Sequence, residues 1–176
     1  MNLQPILEDD VIVARPLTAN DFETLYEVAS DPEIWEQHPS KTRYQKDVYT
    51  TFFEGALKSG GAFIIYDKKS EEAIGGSRFY NHNEKEKSIF IGYTFYAKKY
   101  WGTGVNHRMK RLMMDYAFKF VDKIIFHVGA FNFPSQKSIE KLGVEKTGEE
   151  LVEYYGEQPR LNFVYVMRKE KYLGAR

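Results

Sequence analysis

The stretch "SIFIGYTFYAKKYWGTGVNHRMKRLMMDYAF", residues 88–118, does more than any other to limit what this chain can fold into. Its first nine residues form a nearly continuous apolar run, too apolar for a strand with one wet face, which predicts a strand inside a sheet. Gly102 and Gly104 follow almost at once, and then Val105, Met109, Leu112, Tyr116 and Phe120 recur as one apolar helical stripe. His107, Arg108, Lys110 and Arg111 fall mostly off that stripe and read as a solvated face, with the ribose phosphate of a nucleotide as the other use for the cations. A buried strand that turns directly into an amphipathic helix requires a layered domain in which the helix packs back on the sheet.

The rest of the chain supplies the other layers. Val11 to Ala14 is a short strand, and Thr18 with Asp21 opens a helix that runs to about Ala29. Asp31-Pro32 breaks the pattern. A second helix follows, with Tyr44, Val48, Thr51 or Phe52, and Leu57 on its apolar face, and Gly60-Gly61 closes it. "AFIIYDKKSEEAIGGSRFY" is an antiparallel strand pair around a polar turn, and "KIIFHVGAF" is a further strand after the central helix. "NFPSQKSIEKLG" reads as a helix capped by Asn132, with Pro134 in its first turn and Gly143 as its stop. "LVEYYG" and "RLNFVYVMR" are two closing strands. With no internal repeat or linker, residues 1–176 are expected to form a single mixed α/β domain of seven strands and four helices.

Composition excludes several classes. The 25 basic and 25 acidic side chains cancel, so no global field favours nucleic acid or an anionic membrane. The aromatic strands and "HRMKR" lack a recognised nucleic-acid reading motif. There is no cysteine, hence no disulfide, thiolate metal site or cysteine nucleophile, and the four histidines show no metal spacing. The N-terminal region has neither the basic start nor the apolar run of a signal peptide, so a soluble cytoplasmic protein is expected.

The glycine pair presents free N–H groups and a positive dipole end at the start of a helix, with no Cβ in the way, a setting suited to phosphates. A tight strand-to-helix turn with no ligand explains two glycines equally well. "GTGVNH" lacks the Gly-Lys-Ser/Thr ending of a Walker loop, and a dinucleotide fingerprint would need a third glycine where His107 stands.

Taken together, "GYTFYAKKYWGTGVNHRMKRLMMDYAF" and the downstream "NFPSQKSIEKLG" resemble the acetyl-CoA motif of the GNAT N-acetyltransferase superfamily. With "ARPLTANDFETLYEVASDPEIWEQHP" added, the resemblance is to the branch holding the RimJ and RimL ribosomal-protein acetyltransferases and covers nearly the whole chain. It implies a GNAT-like fold: a central mixed, mostly antiparallel twisted sheet of about six to seven strands with about four helices. It also implies acetyl-CoA as co-substrate, an amine acceptor, no metal, and the option of a homodimer. Residue by residue, it places Lys99 at the head of the phosphate loop, where the family has Gln or Arg, and Gly102 and Gly104 at the family's small residues. The amides of Trp101, Gly102, Thr103, Gly104, Val105 and Asn106 would wrap the pyrophosphate. Thr94, Phe95 and Tyr96 would pair with the pantetheine arm as an added strand does, and Asn132 and Ser135 would lie near the arm and the sulfur.

Amide formation from a thioester needs a positioned neutral amine, a polarised carbonyl and a proton for the departing thiolate. The resemblance assigns polarisation to a backbone N–H within Thr94 to Tyr96. The family's usual tyrosine acid is absent, since Ile139 holds its position. Ser135 is the candidate general acid in its place, with helix capping as its other role. The glutamate that many members carry before "IGY" is Phe90 here. That leaves the base open among His38, His82, His127, Glu33 and a water chain. Trp35 and Tyr44 are candidates for the acceptor wall or for packing. The expected function is acetyl transfer to a peptide N-terminus or small amine, and the alternative is a catalytically degenerate acyl-CoA-binding sensor.

Overall fold

The computed structural model describes residues 1–175. Eight strands form one sheet in the order β1-β2-β3-β4-β5-β6-β8-β7. They are β1 (Leu7–Glu8), β2 (Ile12–Pro16), β3 (Ala62–Asp67), β4 (Ala73–Asn83), β5 (Ser88–Tyr96), β6 (Lys123–Gly129), β7 (Glu145–Val152) and β8 (Arg160–Arg168). The helices are α1 (Phe22–Ala29), α2 (Lys46–Ser59), α3 (Val105–Ala117), α4 (Phe133–Glu140) and α5 (Lys169–Gly174). Every neighbouring pair is antiparallel except β5 with β6, which run parallel at the centre of the sheet. This is the expected mixed α/β GNAT fold, with eight strands instead of seven because β1 is a two-residue strand on the edge of β2, and with α5 added at the C-terminus.

Two cores flank the sheet. On one side α3 lays Val105, Met109, Met113, Met114 and Ala117 against Phe79, Ile89, Ile124 and Phe126. On the other, α1 and α2 bring Leu25, Tyr49, Phe52, Phe53 and Ala56 onto Ile64 and Phe95. The stripe on α2 is therefore one position away from the expected one: Tyr49, Phe52, Phe53 and Ala56 follow the i, i+3, i+4, i+7 rule, whereas Leu57 is exposed. On α3, Leu112 and Tyr116 are only partly buried and Phe120 lies beyond the helix end, half exposed. Lys110, expected on the solvated face, is buried at 4 % exposure.

Local chemistry explains the element boundaries. The Asp21 carboxylate accepts from the Thr18 N–H at 2.8 Å and its hydroxyl at 2.9 Å, and is forked by Arg15, which sets the entry to α1. Gly60 ends α2 at φ 64°, as a C-terminal glycine should. The Asn132 side chain accepts from the Ser135 N–H at 3.3 Å and caps α4. The closing hairpin departs from expectation: β7 spans Glu145–Val152, so only the first two residues of "LVEYYG" are strand, and Gly156, at φ 70°, belongs to the turn. The cause is that β7 is an edge strand whose residues are almost all exposed, so most of it carries no apolar alternation.

Candidate active site

The two parallel central strands part company almost as soon as they meet. β5 and β6 pair only at Ser88 with Lys123, Ile89 with Ile124 and Phe90 with Ile125. Beyond that point Ile91 to Tyr96 and Phe126 to Gly129 diverge and line opposite walls of a cavity of about 590 Å³. β5 deforms at the same place. Gly76 faces Phe95 but Arg78 faces Gly92, so Tyr93 and Thr94 together oppose Ser77 in a β-bulge, with Tyr93 at φ 53°. A parallel pair that opens this way leaves backbone groups of β5 without ladder partners on the β6 side, facing the cavity.

The bulge is pinned from below. Ser77 Oγ lies 2.8 Å from Thr94 Oγ1, and the Lys110 ammonium donates to the same oxygen at 2.5 Å. No carboxylate lies within ion-pair distance of Lys110 among the described residues, and burial pushes its pKa down to about 7. Lys110 lines the cavity, a position that its place off the predicted stripe gave no sign of.

At the mouth, α3 begins. Gly102 and Gly104 have φ values of 72° and 87°, and a Cβ built on either would meet nothing within 4 Å, so the space beside them is open. The Trp101 amide donates to the Lys98 carbonyl at 3.0 Å and that of Thr103 to Tyr100 at 3.4 Å. No backbone acceptor takes the amides of Gly102, Gly104, Val105, Asn106 or His107 among the described residues, which leaves a cluster of free donors at the positive end of a 13-residue helix.

Most of the expected cofactor residues converge here: Thr94, Phe95, Tyr96, Trp101, Gly102, Gly104, Asn106, Asn132 and Ser135 all line the cavity. Three do not. Lys99 is ion-paired with Glu72 on the exposed surface, the Thr103 hydroxyl is turned to the Tyr100 carbonyl at 2.6 Å, and Val105 is packed into the core below α3. Of the acceptor-wall pair, Trp35 lines the cavity while its indole N–H donates to the Ala29 carbonyl at 2.7 Å. Tyr44 packs with the α1–α2 cluster instead, and its carbonyl takes the Tyr26 hydroxyl at 2.9 Å.

Among the proton-transfer candidates, His38, His127 and Glu33 reach the cavity and His82 does not. Glu33 is engaged by Lys98. His38 Nδ1 accepts from the Ser40 N–H at 3.1 Å and its ring abuts Arg43. His127 Nε2 lies 3.0 Å from Glu150, its Nδ1 has no partner among the described residues, and burial lowers its pKa below the usual imidazole value, so the ring is neutral near pH 7. Ile139, at the position of the family's tyrosine, is buried apolar lining. Arg108 is held by Asp9 and Asp10 at 2.9 Å each. Arg111, with His107, Lys141 and Lys171, lines a second recess of about 300 Å³ on the far side of α3. No cluster of three or more His, Asp or Glu side chains able to hold a metal occurs among the described residues.

A mixed sheet split at its central parallel pair, with a free helix N-terminus facing the split, is the arrangement of an α/β transferase that grips a long ligand between two strands. The chain belongs to the acetyltransferase (GNAT) domain family, whose profile matches residues 12–145, and is an acyltransferase enzyme of that family. Its fold is shared by a GCN5-related N-acetyltransferase from Brucella melitensis, with a TM-score of 0.83 at 16% identity over 97% of this chain and 81% of that one. Spermidine N-acetyltransferase from Vibrio cholerae, solved with CoA and spermine, superposes with a TM-score of 0.70 at 17% identity over 94% and 99% of the two chains. RimJ from Mycobacterium smegmatis, in complex with CoA-disulfide, gives 0.70 at 16% over 98% and 93%.

Proposed function

We propose that this enzyme transfers the acetyl group of acetyl-CoA to a primary amine, by direct attack within a ternary complex. The observation that carries the reading is the juxtaposition of two sets of backbone groups: the edge of β5 from Ile91 to Phe95, which has no ladder partner on the β6 side, and the free amides at the start of α3. A ligand with a pyrophosphate at one end and an amide-bearing arm at the other satisfies both sets at once. The open space beside Gly102 and Gly104 allows phosphate oxygens to approach the backbone, so the residues present fit acetyl-CoA.

In this reading the arm extends β5 across the split, and the thioester lies at the bulge, where a backbone N–H of Thr94 to Tyr96 polarises its carbonyl. The amine nitrogen bonds to the carbonyl carbon, the C–S bond breaks, and sulfur leaves with the electron pair. Ser135, at the first turn of α4 and in the cavity wall, supplies the proton to sulfur. The proton lost by the amine goes to a base in the cavity, and His127 is the lining imidazole with a ring nitrogen free to accept it. The resemblance of the N-terminal segment supports placement in the RimJ/RimL-like branch.

Calorimetric titration with acetyl-CoA, NADH and ATP tests the reading. Saturable binding of acetyl-CoA alone, followed by free-thiol release on adding an amine, is the expected result. A folded sample that binds none of the three overturns it, and one that binds acetyl-CoA but releases no thiol with any amine turns the reading to an acyl-CoA sensor.

A further inference from the structure

Beneath the bulge of β5 the core holds a cation among thioethers. Lys110 shares α3 with Met109, Met113 and Met114, each no more than 2 % exposed, and is itself buried. Its ammonium has three N–H donors, and among the described residues one is used, at 2.5 Å on Thr94 Oγ1. The same hydroxyl meets Ser77 Oγ at 2.8 Å, so the ammonium is tied to the bulge itself. Lys110 and Thr94 both line the cavity. Asn106, about one turn earlier on α3, lines it too and stands about 6 Å nearer the free amides of the helix start.

No described group around the ammonium supplies a negative charge. Ser77 on β4 and Ser135, Ser138 and Ile139 on α4 carry none. Burial raises the pKa of the Tyr96 phenol on β5, and it lowers that of His127 on β6, whose partner Glu150 is mostly in solvent. Asp9 and Asp10, in the β1–β2 turn against which α3 packs, are committed to Arg108. Farther along the wall, Tyr80, Tyr93 and Tyr154 are phenols raised by burial, and His38 is held low by burial and by Arg43. The remaining carboxylates there are engaged elsewhere, Glu157 by Arg43 and Glu33 by Lys98, or exposed, as Glu36 is. An ammonium buried in this way is costly, and burial accordingly pushes its pKa down to about 7. An anion formed beside it would remove that cost.

Resting on the acetyl-transfer reading, we propose that the Lys110 ammonium is the counter-charge for the CoA sulfur as it leaves the acetyl group. In that reading the thioester lies at the bulge, beside Thr94, and is a neutral group that offers the ammonium little. When the amine nitrogen bonds to the carbonyl carbon and the C–S bond breaks, sulfur keeps the electron pair and becomes the anion that the surroundings lack. The attraction is therefore stronger in the transition state than in the bound substrate, which is the condition for lowering a barrier. Lys110 keeps its own protons in this step, and the proton that neutralises sulfur still comes from Ser135. A serine hydroxyl is a weaker acid than the tyrosine whose position Ile139 fills, so a site that holds sulfur as a thiolate until that transfer relieves the demand on it.

The test needs no amine acceptor. The protein is loaded with CoA, the free thiol, and the ultraviolet absorbance of the thiolate is followed against pH, while calorimetry measures the binding of CoA and acetyl-CoA. Bound CoA is expected to titrate about one pH unit or more below free CoA, a tenfold gain in thiolate. Lys110→Met, which matches its methionine neighbours, is expected to abolish that shift while binding acetyl-CoA within about threefold of the parent, because the thioester is uncharged. Ser77→Ala, which removes a tie to Thr94 but leaves the ammonium, should keep the shift. Bound CoA that titrates like free CoA overturns the inference with binding intact, as does a shift that survives in Lys110→Met. A shift lost equally in Ser77→Ala overturns it too, since Lys110 would then act only by holding the bulge. A folded parent protein that binds neither CoA nor acetyl-CoA overturns the acetyl-transfer reading, and the inference falls with it.

Discussion

Among the described residues, Lys110 is an ammonium confined in the core with one hydrogen bond, to Thr94, and no counter-ion in reach. Its folded pKa of about 7 lies below the value of 10.5 for an open lysine, so between these limits the unfolded chain holds a proton that the folded one lacks. Stability contributed through this group therefore rises with pH from about 7 to about 10.5, and below about 7 the full penalty of roughly 5 kcal/mol is present. Lys110→Met is expected to raise stability at neutral pH, and the gain over the parent should shrink by roughly 2 kcal/mol between pH 7 and 9 in urea unfolding. A gain that is the same at both pH values would show that the lysine keeps its ordinary pKa. Nothing in the one-dimensional pattern marks this residue: it sits among Arg108 and Arg111, which are partly exposed, and only the seating of Thr94 in a bulge pulls the ammonium inward.

At the scale of elements, the turn from β5 into α3 is legible in the amino-acid sequence, because apolar run, glycine pair and amphipathic stripe each dictate local geometry. Gly104 stands as the helix N-cap at φ 87°, a conformation that costs a β-branched residue of order 1–2 kcal/mol. Gly104→Val is expected to lower acetyl-CoA affinity by about tenfold or more in a calorimetric titration, with the fold retained by circular dichroism. Unchanged affinity would remove the loop from the binding site. The elements that depart from the sequence pattern do so for physical reasons. β7 is an edge strand with no buried face, and β1 is held to β2 by only two residue pairs, so neither has the periodicity that burial imposes. The stripe on α2 lies one position from the expected one because several aromatic residues, Tyr44, Tyr49, Phe52 and Phe53, offer more than one helical register.

Across the whole molecule, Arg43, in the cavity wall, and Glu157, 114 positions apart, tie the segment before α2 to the turn between β7 and β8. Glu157→Gln leaves Arg43 buried without its carboxylate and is expected to cost about 3 kcal/mol, lowering Tm by roughly 6–12 °C in a calorimetric scan. The double variant Arg43→Met with Glu157→Gln should recover most of that loss, and failure to recover would mean that the pair does not interact energetically in the way its geometry implies. The sequence by itself determined the layered α/β order, the central buried strand and the glycine-led start of α3, because these follow from periodicity and from backbone restrictions that act over a few residues. The tertiary structure alone decided where β5 and β6 separate, that Lys110 is buried under the bulge, and that Arg43, in the cavity wall, meets Glu157 from the far end of the chain. Those features depend on twist, strand register and charge balance among residues far apart in the chain, and no local pattern encodes them.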